Sequence, residues 1–420
     1  MRIVAYECRK ALTSPVLLGL AFVFLCFNIF LIVDRSDLKD ELKVVNQIVA
    51  SQGVQITDES LHRFQQHLQT ELSKLNERIM NQANEKYNSI HAFLETLRHE
   101  DWEQLSEADR AFIAELQIKE MHYHMAIQMD ERYNQVDWRQ IGEGEIVQSG
   151  LSGKTADYFR DAYAQLVERV EQIKLTDAHK TWFFAGVYHM HSFLFRTIFA
   201  ALIFEALMLS VLTTALITNY EFEHRTHLVM YATAEGRRLK KDKFIASMIS
   251  AATVTVFLIG ATLAVYFTIF DYSHVWGSMI GSVLNWEYER PYVPWRDLTF
   301  LSFLLWSMLL IFASVMIFNV LTFAVSVLTR NNYYTFFLMA AFFGLLFIMP
   351  LLMPSLFGLK SIVQFNLSQL LMNPHQFFMG NASIPMMSKH YELITLLVWG
   401  IIAAALSWLM LKMFKTQDIH

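Results

Sequence analysis

Six stretches of this chain stay apolar for about twenty residues or more, and their apolar cores hold a single ionisable side chain, Glu205. A run of that length crosses the roughly 30 Å hydrocarbon core of a bilayer as a helix at about 1.5 Å per residue. The spans are expected at 15–33, 192–218, 244–270, 298–329, 334–354 and 392–413. Charged residues are only 17% of the 420 and hydrophobic ones 54%, whereas soluble domains run nearer a quarter charged. Closed β-barrels would alternate apolar and polar positions over ten-residue segments. The expected fold class is therefore an all-α membrane protein with six transmembrane helices.

Orientation follows from Lys and Arg. Arg2, Arg9 and Lys10, then Arg225, Arg237, Arg238, Lys240, Lys241 and Lys243, then Arg330, and finally Lys412 and Lys415 fall on one side of such a bundle. The short loops opposite hold Arg290, Arg296, Lys360 and Lys389. The positive-inside rule places both termini in the cytoplasm of a multi-pass cytoplasmic-membrane protein. No A-x-A site follows Val33, so the first run is expected to be a retained span, preceded by an interfacial helix over 1–14.

The hydrophilic insert at 34–188 then lies outside. Its acids exceed its bases by about ten, while the rest of the chain is basic by about five. It is expected to be helical. Leu61, Phe64, Leu68, Leu72, Leu75 and Ile79 recur at three- and four-residue steps, and Tyr87, Ile90, Leu94 and Leu97 extend the stripe. Ser106 with Asp109 reads as a capping box, and Tyr158, Phe159, Ala162, Tyr163, Leu166, Val170 and Ile173 mark a further helix. Antiparallel helices packed as a hairpin or small bundle fit these stripes. Between 355 and 390 the chain is too short for two more spans, and short segments bounded by Gly or Pro suit re-entrant or interfacial helices before span 6. The only cysteines, Cys8 and Cys26, leave the insert without disulfides.

Motifs of known chemistry fall short. Gly153-Lys154-Thr155 ends like a phosphate-binding loop, but Gln148 stands where the first glycine is needed and no strand precedes it. Gly150-Leu-Ser-Gly153 matches a short intramembrane serine-protease signature but lies in the hydrophilic insert. His122 with His124 and His189 with His191 sit two apart, a spacing that splits them across a helix, so no metal site is assigned. No catalytic residue is assigned either. Glu205 lies mid-span, where a carboxylate is costly enough to mark a substrate path or a hydrogen bond to a neighbouring helix. Arg196, about nine residues earlier, is read as snorkelling to the outer interface and joins Glu205 as a candidate for the substrate path. No nucleic-acid partner is expected.

The segment at 219–243 is basic and helix-compatible. A helix over Glu221–Tyr231, carrying Glu221, Glu223, Arg225, Thr226 and His227, is expected to dock into a groove on a soluble partner. Arg237, Arg238, Lys240, Lys241 and Lys243 are expected to anchor on anionic lipid headgroups.

Taken together, these parts resemble the permease subunit of type-2 ABC exporters. Tyr6-Glu-Cys-Arg-Lys10 followed by Pro15 resembles that family's interfacial helix. Glu221-x-x-x-Arg225-Thr226, Thr233, Gly236-Arg237-Arg238, Lys243 and Ala246 resemble its coupling segment between spans 2 and 3. The resemblance covers everything but the insert. It implies a non-enzymatic subunit that moves a lipid, amphipathic peptide or drug-like molecule, with no cofactor in this chain. ATP and Mg would bind a separate cytoplasmic ABC ATPase subunit, and two permease copies would pair, most simply as a homodimer in a bacterial membrane. The alternative from a different class is a polytopic sensor or scaffold whose helical outer domain binds a ligand.

Overall fold

A computed structural model describes residues 2–79, 86–182, 193–231, 234–285, 290–352, 362–380 and 387–416. Among them the only strands are the two-residue antiparallel pair Leu284–Asn285 and Arg290–Pro291. Six helices of the described residues have the length and composition to cross a membrane: Pro15–Asp34, Phe193–Glu223, Leu239–Ile269, Phe300–Thr329, Asn332–Leu352 and Tyr391–Met413, here spans 1 to 6. The chain is thus a helical, multi-pass membrane protein in architecture.

Proline sets the first boundary. Helix α1 (Arg2–Leu12) closes before Pro15, whose ring nitrogen has no proton to continue it, and Pro15 then opens α2 (Pro15–Asp34), which is span 1. Span 2 begins with a π-helical turn, Phe193–Ile198, before the regular helix Phe199–Glu223. Spans 2 and 4 form the centre, 67% and 56% buried, while spans 1 and 6 are each 17% buried. The peripheral helices expose Phe22, Phe30, Phe337, Ile401 and Trp408, side chains suited to hydrocarbon rather than water. Pro350 lies inside span 5 and removes one backbone donor there. The short helix Leu367–Met372 packs nearby and gives bonds from Ser368 Oγ to the Phe343 carbonyl (2.8 Å) and from Gln369 Nε2 to that of Phe347 (2.9 Å).

Among the described residues eight helices build the insert: α3 (Leu38–Gln52), α4 (Asp58–Ile79), α5 (Ile90–Thr96), α6 (His99–Gln104), α7 (Glu107–Ile127), α8 (Met129–Asn134), α9 (Trp138–Gln148) and α10 (Gly153–Leu175). The α4 stripe buries Phe64 and Leu75, and α10 buries Phe159, Tyr163, Leu166, Val170 and Ile173. The stripe does not extend through Leu97 as one helix. Ser89 caps a separate helix by accepting from the Ala92 amide, because its hydroxyl offers that orphan donor a partner. Ser106 caps α7 as expected, while the Asp109 carboxylate takes the Ser106 hydroxyl (2.6 Å).

The insert is not a separate body on a tether. One continuous apolar core runs from Phe64, Tyr133 and Leu166 through Tyr292, Trp295 and Met379 into spans 2 to 4. Polar contacts reinforce it: Tyr133 donates to the Gly281 carbonyl, Thr181 to Ser282 (2.7 Å), and Arg169 binds the Pro294 carbonyl and Asp297. The loops after spans 3 and 5 therefore meet the insert at one end of the bundle. Helix α1 and the turns after spans 2 and 4 gather at the other.

Candidate functional site

The turn between spans 2 and 3 departs from its expected form. Span 2 runs on through Glu223, so Glu221 sits in its last turn, 4% exposed, rather than on a docking helix. The helix stops by a double backbone closure: Thr226 N–H reaches the Glu221 carbonyl (2.8 Å) and Arg225 N–H that of Phe222 (3.1 Å). That is the Schellman arrangement, which needs a left-handed residue at the position of Arg225; its φ is +55°. Glycine is the unstrained choice there, and an L-residue costs roughly 1–2 kcal/mol. A five-residue helix, His227–Tyr231, follows. A docking helix of about ten residues over Glu221–Tyr231 is thus replaced by a capped turn and a short knob, because the apolar and small residues up to Thr218 and Asn219 continue span 2 without a break.

The knob is outward-facing. Leu228, Val229 and Met230 are 55%, 79% and 40% exposed, and Glu223, His224, Arg225 and Thr226 are exposed beside them. Two stacked pairs brace it from within: His224 on Tyr220 at 4.0 Å and His227 on Phe222 at 4.9 Å. Glu223 accepts from the Asn332 amide (3.0 Å), so the end of span 2 caps the start of span 5.

Beneath the knob the charges turn inward. Lys243 Nζ donates to Glu221 (2.6 Å) and to the Ile217 carbonyl (2.6 Å), and Lys240 Nζ donates to the Thr218 carbonyl (2.7 Å). Both lysines are buried, at 0% and 1% exposure, so headgroup anchoring is corrected for these two. The physical reason is the C-terminus of span 2, whose last carbonyls lack helical donors and attract cations. Lys241, pointing the other way, is exposed and keeps the anchoring geometry. The side chains of Arg237 and Arg238 lie outside the described residues. Helix α1 joins the cluster: Glu7, 4% exposed, pairs with Lys10 (2.9 Å) and lies 3.8 Å from Lys243, while Lys10 sits 3.3 Å over the Tyr220 ring. One buried ionic knot thus binds α1, span 2 and span 3.

A second polar point lies deep in the bundle. Asn28 of span 1 donates to Glu205 Oε2 (2.7 Å) and approaches Thr262 Oγ1 (3.1 Å), joining spans 1, 2 and 3. Arg196 is half-buried in the π turn and is not brought to Glu205, whose carboxylate accepts from Asn28. A little farther along, Thr214 bonds Asn319 across spans 2 and 4.

Sequence reasoning passed over Glu7, Asn28 and Glu392. Asn28 was findable as the one amide inside an otherwise apolar span 1. Glu392, 5% exposed at the start of span 6, accepts from the Phe378 amide (2.6 Å); its place at a helix start hid its burial. In the insert, His122 is enclosed and meets the Ile118 carbonyl at 2.9 Å, and burial pushes its imidazole down to about 4. No cluster of three or more metal-ligating side chains occurs among the described residues; His189 and His191 lie outside them. Comparison with protein-family models, curated proteins and solved structures returned no match.

Proposed function

We propose that this chain is the membrane-spanning permease subunit of an ATP-driven exporter, paired with a second copy and energised by a separate cytoplasmic ATPase. The observation that carries the reading is the turn after span 2: an exposed Arg225 and the apolar knob Leu228–Met230 stand on a buried ionic knot that ties three helices together. A partner that pushes on such a knob moves spans 2 and 3 as a unit, because Lys240 and Lys243 of span 3 grip the last turns of span 2. Glu223 passes the motion to span 5 through the Asn332 amide. Helices coupled in this way can alternate between two packings and reorient a path across the bilayer. The substrate class that suits the apolar spans is a hydrophobic or amphipathic molecule, with the Glu205–Asn28–Thr262 cluster as the polar point along the way. In this reading the knob faces the cytoplasm and the acidic insert lies outside, in accord with the distribution of Lys and Arg.

Arg225→Glu tests it. Arg225 makes no side-chain bond among the described residues and lies on the exposed face, so the protein should fold and insert normally. Reversed charge in a partly desolvated contact costs several kcal/mol, so ATPase association or substrate-stimulated hydrolysis should be lost. Unchanged association and export would remove the coupling role and favour the sensor or scaffold reading. Glu223→Arg is a poorer probe, since it also removes the cap on span 5.

A further inference from the structure

At the opposite end of the bundle, where the insert meets the membrane boundary, lies a cavity of about 540 Å³ lined by Lys39, Asp40, Lys43, Asn46, Asp271 and His274, with Ile269 as an apolar ledge. Its level is set by the spans. Asp34 ends span 1 four residues before α3 begins, and Ile269 ends span 3 two residues before Asp271. The floor is rigid: Asn46, 6% exposed, donates to the Asp271 carbonyl (2.6 Å) and accepts from the His274 amide (3.0 Å), pinning α3 to the end of span 3. Around that floor the charges are uncommitted. Lys39 and Lys43, one helical turn apart on the same face of α3, have no ion-pair or hydrogen-bond partner among the described residues, and neither does the His274 ring. Asp271 receives only its own turn, from Ser273, and keeps acceptor capacity.

We infer that this hollow binds the headgroup of a zwitterionic phospholipid of the phosphoethanolamine type, drawn from the leaflet beside the insert. Lys39 and Lys43 supply cationic donors to the phosphodiester, with His274 as a third nitrogen. Asp40 and Asp271 accept from the attached ammonium. The lining carries two lysines against two aspartates, a balance that matches a headgroup bearing both signs and leaves a purely anionic one facing two uncompensated carboxylates. Ile269 and Ala50 meet the glycerol and first methylenes. Lys39, Asp40, Lys43, Asp271 and His274 are exposed and rim an open hollow, and the buried Asn46 amide locks its base. The inference does not depend on the exporter reading.

The test uses the full-length protein in phosphatidylcholine nanodiscs doped with a photoactivatable phosphatidylethanolamine or phosphatidylglycerol, with crosslinked peptides mapped by mass spectrometry. The expected result is labelling of the α3 and 271–274 peptides by phosphatidylethanolamine in preference to phosphatidylglycerol, falling several-fold in K39Q/K43Q. D40N should erase the preference between the two lipids while retaining the label. Both variants change exposed positions, and circular dichroism verifies their folding. Equal labelling in K39Q/K43Q, or no preference in the unmodified protein, overturns the inference. Abolition of lipid labelling by free phosphoethanolamine overturns the lipid source and assigns the cavity to a soluble phosphate ester.

Discussion

Lys243 and Lys241 differ by two positions and have opposite fates. Lys243 is enclosed with Glu221, while Glu7 keeps Lys10 as its nearer partner, so Lys243→Met should leave the Glu221 carboxylate buried without its paired cation, at a cost on the order of 3–5 kcal/mol. Lys241→Ala should change stability by no more than about 0.5 kcal/mol. Thermal unfolding of the two variants in detergent checks the contrast, and equal losses would contradict the buried knot. Arg225 makes the complementary case. Arg225→Gly relieves a left-handed residue at φ +55° and should stabilise the turn by about 1 kcal/mol while impairing partner docking. Stability gained at the expense of activity is the signature of strain kept for function, and a loss of both would show the arginine to be structural.

At the scale of elements, the spans were legible because about twenty apolar residues in a row admit few other fates. The ends of the spans were not. Whether Glu221 caps a docking helix or closes span 2 depends on Lys243, 22 residues away, and no local pattern encodes that pairing. Asn28, Glu205 and Thr262 come from three helices for the same reason. In the insert, periodicity gave the buried faces of α4 and α10 but not the break at Ser89, where one hydroxyl bond starts a new helix. The buried imidazole of α7 carries a pH signature. His122 is held neutral by burial, with its value lowered from 6.5 to about 4. The unfolded chain takes up a proton below 6.5 and the folded chain does not until about 4, so this stability is present above 6.5 and is lost as pH falls through that window. Hydrogen-exchange protection across Glu107–Ile127, taken relative to the intrinsic exchange rate at each pH, should fall on acidification toward about pH 4.5 in the native protein, and less so in His122→Gln. Identical acid sensitivity in both would contradict it.

For the whole molecule, the insert and the spans share one core, so a signal at either end has a packed route to the other. The insert end carries a net-neutral hollow at the membrane boundary, and the opposite end carries an exposed knob above a buried ionic knot. A permease reading gives that polarity a purpose: force enters at the knob, and the bundle changes packing between the two ends. In that proposed role the energy comes from a second polypeptide; in this chain Gln148 stands where the first glycine of a phosphate-binding loop belongs. The most direct measurement is therefore to purify the tagged protein from its native membrane in mild detergent and ask what accompanies it. The account predicts a nucleotide-hydrolysing subunit in equal stoichiometry, lost from the Arg225→Glu protein; a chain that purifies alone and intact, with no bound ATPase, would contradict it.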